Sequence, residues 1–267
     1  MLKNITLGQY FPGSTFVHRL DPRTKLLIIV VYIVALFLVD KITAYLPVIV
    51  FLALSVAISK IKPKVLVSGM KPLFIIIAIT AIINLFFTSG EPIFKLWVIS
   101  ITKEGVRAAI FMLLRISLLI MGTFMLTYTT APMQLTDGLE SLLGPLKKIK
   151  VPVHELAMMM SIALRFIPTL IEETDKIMNA QKARGADFET GGLLQKAKAM
   201  LPLLIPLFIS AFRRADELAT AMESRCYSGG EGRTKMKQLS YGSIDAIAGA
   251  AVIILLAAVI LLNTIGV

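Results

Sequence analysis

The 267-residue chain holds a single cysteine, Cys226, so no intrachain disulfide can stabilise it. Charge is scarce: 17% of the residues are Asp, Glu, Lys or Arg, against about 25% in an ordinary soluble domain. The two histidines, His18 and His154, are too few and too isolated for a zinc site or a histidine relay. His154-Glu155 opens like H-E-x-x-H, but the second histidine position is Met158. No stretch fits G-x-x-x-x-G-K followed by Ser or Thr, so a phosphate-cradling loop is missing too. Gly229-Gly230-Glu231-Gly232-Arg233 is glycine-rich without that spacing and reads as a flexible return to a last helix. The first 25 residues contain Lys3, His18, Arg19, Asp21, Arg23 and Lys25 and no uninterrupted apolar run, which argues against a cleaved signal peptide.

Apolar residues are what the chain has in abundance. They make up 56% of it, and the mean hydropathy is +0.79. That balance excludes a disordered chain, argues against a soluble enzyme and predicts an all-α integral membrane protein. The 28 Lys and Arg exceed the 17 Asp and Glu by 11. In so apolar a chain this excess is read as membrane topology before nucleic-acid binding. A spanning helix needs about 20 mostly apolar residues. Five runs are read as spans: Leu26–Val39, Ile42–Ser59, Leu73–Thr88, Val106–Thr130 and Ile244–Ile265. Asp40-Lys41 makes a tight hairpin between the first two, Ser89–Pro92 closes the third and Ala131-Pro132 stops the fourth.

Positive charge orients these spans. Lys3, Arg19, Arg23 and Lys25 precede the first, and Lys60, Lys62, Lys64 and Lys71 separate the second from the third; the opposite loops carry Lys41, Lys95 and Lys103. The positive-inside rule puts the N-terminus in the cytoplasm and, with five spans, the C-terminus outside a cell membrane. Residues 1–130 then form a membrane domain with four spans, 131–240 a cytoplasmic or interfacial segment, and 241–267 the last span. The middle segment holds 15 of the 28 basic and 12 of the 17 acidic residues. Its apolar runs Leu156–Leu170 and Met200–Phe212 are read as parts of two long amphipathic helices, about 153–185 and 193–226, preceded by a short helix. Counting both runs as spans leaves the parity unchanged.

The two long helices resemble each other. Asp175 to Gly185 aligns with Asp216 to Cys226 at an offset of 41, matching Ile177 with Leu218, Ala180 with Ala221 and Arg184 with Arg225. Arg165-Phe166-Ile167-Pro168 resembles Leu203-Leu204-Ile205-Pro206 at an offset of 38, so the copies are not gapless. Counting back in sevens from Arg184 gives Ile177, Leu170, Ala163 and Leu156; from Arg225 it gives Leu218, Ala211, Leu204 and Ala197. Each arginine is thus predicted at the tip of a buried apolar stripe. Two readings of the arginines stand at this point. They offset the negative end of each helix dipole, or their planar cationic forks enter carboxylate- or carbonyl-lined pockets on partners. Met158, Met159, Met160 and Met200 belong to a methionine-rich surface that serves either as core filling or as a repacking contact face. Arg115 and Asn84 lie within spans; for Arg115, pairing inside the bundle or snorkelling is expected.

His18-Arg19-Leu20-Asp21-Pro22-Arg23-Thr24-Lys25, Arg165-Phe166-Ile167-Pro168 and the tripeptides Ala183-Arg184-Gly185 and Ser224-Arg225-Cys226 together resemble the transmembrane T component of energy-coupling factor (ECF) transporters, over nearly the whole length. The second tripeptide departs from Ala-Arg-Gly at both flanks but keeps the arginine. The resemblance implies a non-catalytic scaffold in an ABC-type importer of vitamins or other micronutrients. Residues 131–240 would be its coupling domain, with two crossed coupling helices. Two cytoplasmic ATPase subunits, a homo- or heterodimer, would bind Ala183, Arg184 and Gly185 at one tip and Ser224, Arg225 and Cys226 at the other. A substrate-binding membrane S component would pack on the coupling helices, with Met158, Met159, Met160 and Met200 as candidate contacts. ATP and Mg would be held by the ATPases, leaving this chain without catalytic residues, cofactor, metal or nucleic-acid partner. Competing classes fare worse on the residues. A self-contained permease needs polar groups along several spans, and a membrane enzyme needs a convergent Ser, His, Asp or Glu set. A scaffold without an ATPase is opposed by the paired arginine tips alone.

Overall fold

A computed structural model of the chain describes residues 10–96, 99–188, 192–229 and 238–265; Lys3, the 189–191 part of the interhelical linker and Gly230-Glu231-Gly232-Arg233 lie outside them. In chain order the elements are α1 (Phe16–Arg19), α2 (Pro22–Phe37), α3 (Tyr45–Ser59), α4 (Pro63–Met70), α5 (Phe74–Phe87), the strands β1 (Pro92–Leu96) and β2 (Ile99–Thr102), α6 (Lys103–Thr129), α7 (Pro132–Leu143), α8 (Val153–Ala183), α9 (Leu193–Glu223) and α10 (Ser243–Ile265). The protein is an all-α membrane protein, and the antiparallel β1–β2 hairpin, paired Phe94 to Ile101 and Leu96 to Ile99, is its departure from helix among the described residues. The hairpin occupies what reads in the sequence as a plain loop before the fourth span. Its exit is fixed by Thr102, whose hydroxyl caps α6 by accepting the Gly105 N–H at 3.0 Å and donates to Thr88 O at 2.8 Å.

Five helical stretches are long and apolar enough to cross a membrane: Ile42–Ser59, Pro63–Phe87, Lys103–Thr129, Val153–Ala183 and Ser243–Ile265. The number agrees with the sequence reading but the membership differs. The helix containing Val153–Ala183 meets the length and composition, whereas α2, with 16 residues, does not. At 1.5 Å per residue α2 is about 24 Å long, short of a hydrocarbon core of about 30 Å.

The chain separates into two compact units, one of residues 10–142 with 239–265 and the other within 143–238. α7, beyond the composition boundary at 130/131, belongs to the first: Thr136 is buried and Gly138 lies against Pro22. The core of this unit is built from Tyr32, Leu36, Val39, Tyr45, Val48, Leu52, Leu118, Met125, Tyr128, Val252, Leu255 and Val259, contributed by α2, α3, α6 and α10 and the turn after α2. Two of the three core tyrosines direct their hydroxyls to carbonyls of α6, Tyr32 to Leu118 O at 2.9 Å and Tyr45 to Phe111 O at 3.2 Å. Gly122 permits the first approach, since a Cβ there would collide with the Tyr32 ring.

Short α2 is held at both ends by polar groups of its neighbours. At its start Asp21 is the N-cap, accepting the Arg23 N–H at 2.9 Å, with Pro22 in the first helical position. The buried Asp245 of α10 accepts the Asp21 N–H at 2.8 Å and the Gly242 N–H at 2.8 Å. Lys25 is also buried, and its Nζ donates to Thr129 O at 2.9 Å, Thr130 Oγ1 at 3.1 Å and His18 O at 3.3 Å. Arg23 donates to Leu239 O at 2.7 Å and lies over the Tyr241 ring. Two cations and two carboxylates thus lock the starts of α2 and α10 to the end of α6. Upstream, His18 Nε2 donates to Phe11 O at 3.1 Å and Nδ1 accepts from the Thr15 hydroxyl at 2.6 Å; burial holds this imidazole below its ordinary pKa of 6.5, against the raising effect of the Phe11 carbonyl.

At the other end, the last carbonyls of α2 and of the turn after it have no helical partner. Arg115 of α6 donates to Val39 O at 2.8 Å and faces the Phe37 ring. Asn263 of α10 donates to Leu38 O and accepts the Asp40 N–H at 3.3 Å. Of the two roles open to Arg115, pairing inside the bundle is the one observed: it satisfies a carbonyl of the turn that follows α2.

Candidate functional site

The second unit is formed chiefly by α8 and α9, each 31 residues long. They pair antiparallel: Glu173 accepts from the Ser210 hydroxyl and from Arg214 Nη2 at 3.0 Å, while Gln181 on the same helix reaches back to Pro202. The second contact follows from the prolines. Pro206 has no N–H for the carbonyl four residues earlier, and that carbonyl, Pro202 O, lies 3.5 Å from Gln181 Nε2. Antiparallel pairing sends Arg184 and Arg225 to opposite ends, on the order of 40 Å apart along the pair at 1.5 Å per residue.

The two tips have the same backbone. At the end of α8 the Gly185 N–H donates to Lys182 O at 3.0 Å and the Ala186 N–H to Gln181 O at 3.0 Å. At the end of α9 the Cys226 N–H donates to Glu223 O at 2.9 Å and the Tyr227 N–H to Met222 O at 3.0 Å. Both are Schellman caps, with the third tripeptide residue in the left-handed region: Gly185 at φ +89° and Cys226 at φ +57°. The offset of 41 therefore carries through to hydrogen bonding, and the loss of glycine at 226 leaves the geometry intact. A side chain in that conformation costs about 1–2 kcal/mol. Cys226→Gly is accordingly expected to stabilise the chain by up to about 1 kcal/mol and Gly185→Ala to destabilise it by about 1 kcal/mol, readable as opposite shifts in thermal unfolding of the purified protein.

All six tripeptide residues, Ala183, Arg184, Gly185, Ser224, Arg225 and Cys226, are exposed. The cap bonds run between backbone groups, and neither guanidinium is engaged by another described residue. The predicted buried stripes behind the arginines are otherwise placed. Leu156, Ala163, Leu204 and Ala211 are exposed, and Leu170, Ile177 and Leu218 half-buried. Among the described residues of α8 and α9, Val153, Ala157 and Leu203 are the buried apolar ones, and most of the pair's remaining apolar surface is exposed or half-buried. Met159, Met160 and Met200 are exposed and Met158 is half-buried. Outside the methionines, α9 exposes Leu201, Ile205, Phe208 and Phe212, with Phe212 at 69%. Their spacing of 4, 3 and 4 is a helical stripe legible in the sequence, which attention to methionine passes over. An apolar surface of this extent needs a membrane or protein cover. Among the described residues no group of His, Cys, Asp and Glu could hold a metal.

The structure defines a multi-pass helical membrane protein with a pair of long helices ending in matched, arginine-bearing caps. A family profile described as cobalt transport protein (CbiQ) matches residues 13–236. The energy-coupling factor transporter transmembrane protein EcfT of Clostridium kluyveri is 55% identical over 257 residues, 96% of this chain and 95% of that protein. EcfT of Lactococcus lactis is 48% identical over 255 residues, 95% and 96% of the two chains, and EcfT of Bacillus subtilis 46% over 258, 96% and 97%. The chain belongs to this family, the transmembrane components of energy-coupling factor transporters.

Proposed function

We propose that this chain is the scaffold and energy-coupling subunit of its transporter, passing ATP-driven motion of two cytoplasmic ATPases to a substrate-binding S component for uptake of vitamins or other micronutrients. The observation that carries the reading is the pair of congruent, exposed caps at opposite ends of one helix pair, whose guanidinium groups are engaged by no other described residue. Such an arrangement suits two equivalent sockets on a dimer, one tip in each, and a rigid strut between them converts their approach into movement of the helices. The apolar outer surface, with Met158, Met159, Met160 and Met200, would carry the S component, and adaptable methionines would let it repack. In this reading the N-terminus is cytoplasmic and the C-terminus outside, the arginine tips lie in the cytoplasm, and ATP and Mg are bound by the ATPases. The chain itself catalyses nothing and holds no cofactor.

Cys226 supplies a direct test, because it is exposed and is the single cysteine of the sequence. A membrane-impermeant maleimide is expected to label it readily in the isolated chain and at least tenfold more slowly once the ATPases are added. Equal labelling rates with and without ATPases would remove the second tip from the interface.

A further inference from the structure

The first unit contains a cavity of about 220 Å³ between α1, α2, α3, α6 and α10, with Leu20, Ile29, Phe51, Met125 and Leu126 among its walls. Four polar side chains reach its lining, and all are engaged. Lys25 Nζ directs its three N–H groups to His18, Thr129 and Thr130. The hydroxyls of Tyr32, Ser55 and Thr129 donate to the carbonyls of Leu118, Phe51 and Met125. No side-chain donor is left for a ligand, so a polar occupant would lose hydrogen bonds on entry. The rim carries Leu54, Ile58 and Ala251, all exposed on Ile42–Ser59 and Ser243–Ile265, two of the stretches fit to cross the membrane. The mouth therefore opens toward hydrocarbon.

We infer that this cavity binds one acyl chain of a membrane phospholipid. An apolar cavity of about 150 Å³ accepts benzene, so the space here admits a longer hydrocarbon segment. From the level of Lys25 to that of Tyr32 it extends about 10 Å along α2. Next to lipid tails an apolar void of this size is filled from the bilayer, because entry costs no hydrogen bond and gains close contacts. A bound chain would stand between α1 and the α3–α10 pair and complete their packing.

The full-length chain, assembled in nanodiscs of phosphatidylglycerol and phosphatidylethanolamine and released into mild detergent, is to be weighed by native mass spectrometry. One retained phospholipid per chain is expected for the wild type, with at least a tenfold loss in Ala251→Phe and Ser55→Leu, which fill the cavity. Ile253→Phe, on the outward face of α10, should keep it. No retained phospholipid in the wild type, or equal retention in both filled variants, overturns the inference. Should the filled variants fail to fold, a phospholipid with a diazirine on its acyl chain is photolysed with the wild type. Adducts on Phe51, Met125 or Leu126 support the site, and adducts confined to outward residues such as Ile253 and Ile254 overturn it.

Discussion

Arg184→Glu and Arg225→Glu are each expected to strip one ATPase subunit from the purified transporter, and the double change both, while the S component stays bound. A guanidinium seated in a carboxylate- or carbonyl-lined socket makes charge-assisted, forked hydrogen bonds. Replacing it with a carboxylate sets like charges against each other, which costs several kcal/mol, or roughly a hundredfold or more in affinity per tip. The caps sharpen the experiment. Their hydrogen bonds are made by the backbone of residues 181–186 and 222–227, so Arg184→Ala leaves the helix end intact and removes only the projecting fork. Loss of ATPase without loss of thermal stability in that variant assigns the arginine to the interface. Subunit stoichiometry in a pull-down is the readout. Retention of both ATPases and of transport in the double charge reversal would reduce the arginines to helix-end charges.

The second large effect is expected at the buried charge cluster. Asp245→Leu removes the acceptor of the Asp21 and Gly242 N–H groups and leaves Lys25 and Arg23 facing one carboxylate. Breaking a buried, hydrogen-bonded charge arrangement by removing one partner costs about 3–5 kcal/mol. Lys25→Met is expected to cost a similar amount, by orphaning Thr129 O and Thr130 Oγ1 at the end of α6. Asp245→Asn retains an acceptor oxygen and should fall well short of that loss. The double change Lys25→Met/Asp245→Leu should destabilise less than the sum of the single changes, since each removes a charge the other compensates. Thermal unfolding in detergent and in nanodiscs checks all four. Strict additivity would mean that the two groups stabilise the bundle independently.

Much of the site is legible in the amino-acid sequence. The offset of 41 between Arg184 and Arg225, the helix pair about 153–185 and 193–226, and the entry motif from His18 to Lys25 all stand there, because heptad spacing, proline and helix-end signals are local. Alignment of the two copies does not say whether Ser224-Arg225-Cys226 ends a helix as Ala183-Arg184-Gly185 does. Glycine enters the left-handed region freely, whereas cysteine enters it only where the surrounding hydrogen bonds of a cap hold it there.

Composition by itself determined that the chain belongs in a membrane, since 56% apolar residues and 17% charged ones leave no soluble alternative. Motif and spacing determined which residues stand at the helix tips. Only the tertiary structure decided what the buried charges do. Asp21 and Asp245 are 224 positions apart, Lys25 and Thr129 are 104 apart, and Arg115 caps a carbonyl 76 positions away. It also decided that the heptad stripes are not buried seams: Leu156, Ala163, Leu204 and Ala211 face outward and Leu170, Ile177 and Leu218 are half-buried. A periodic pattern specifies a face of a helix, whereas the partner that covers the face is specified by elements distant in the sequence or by another chain.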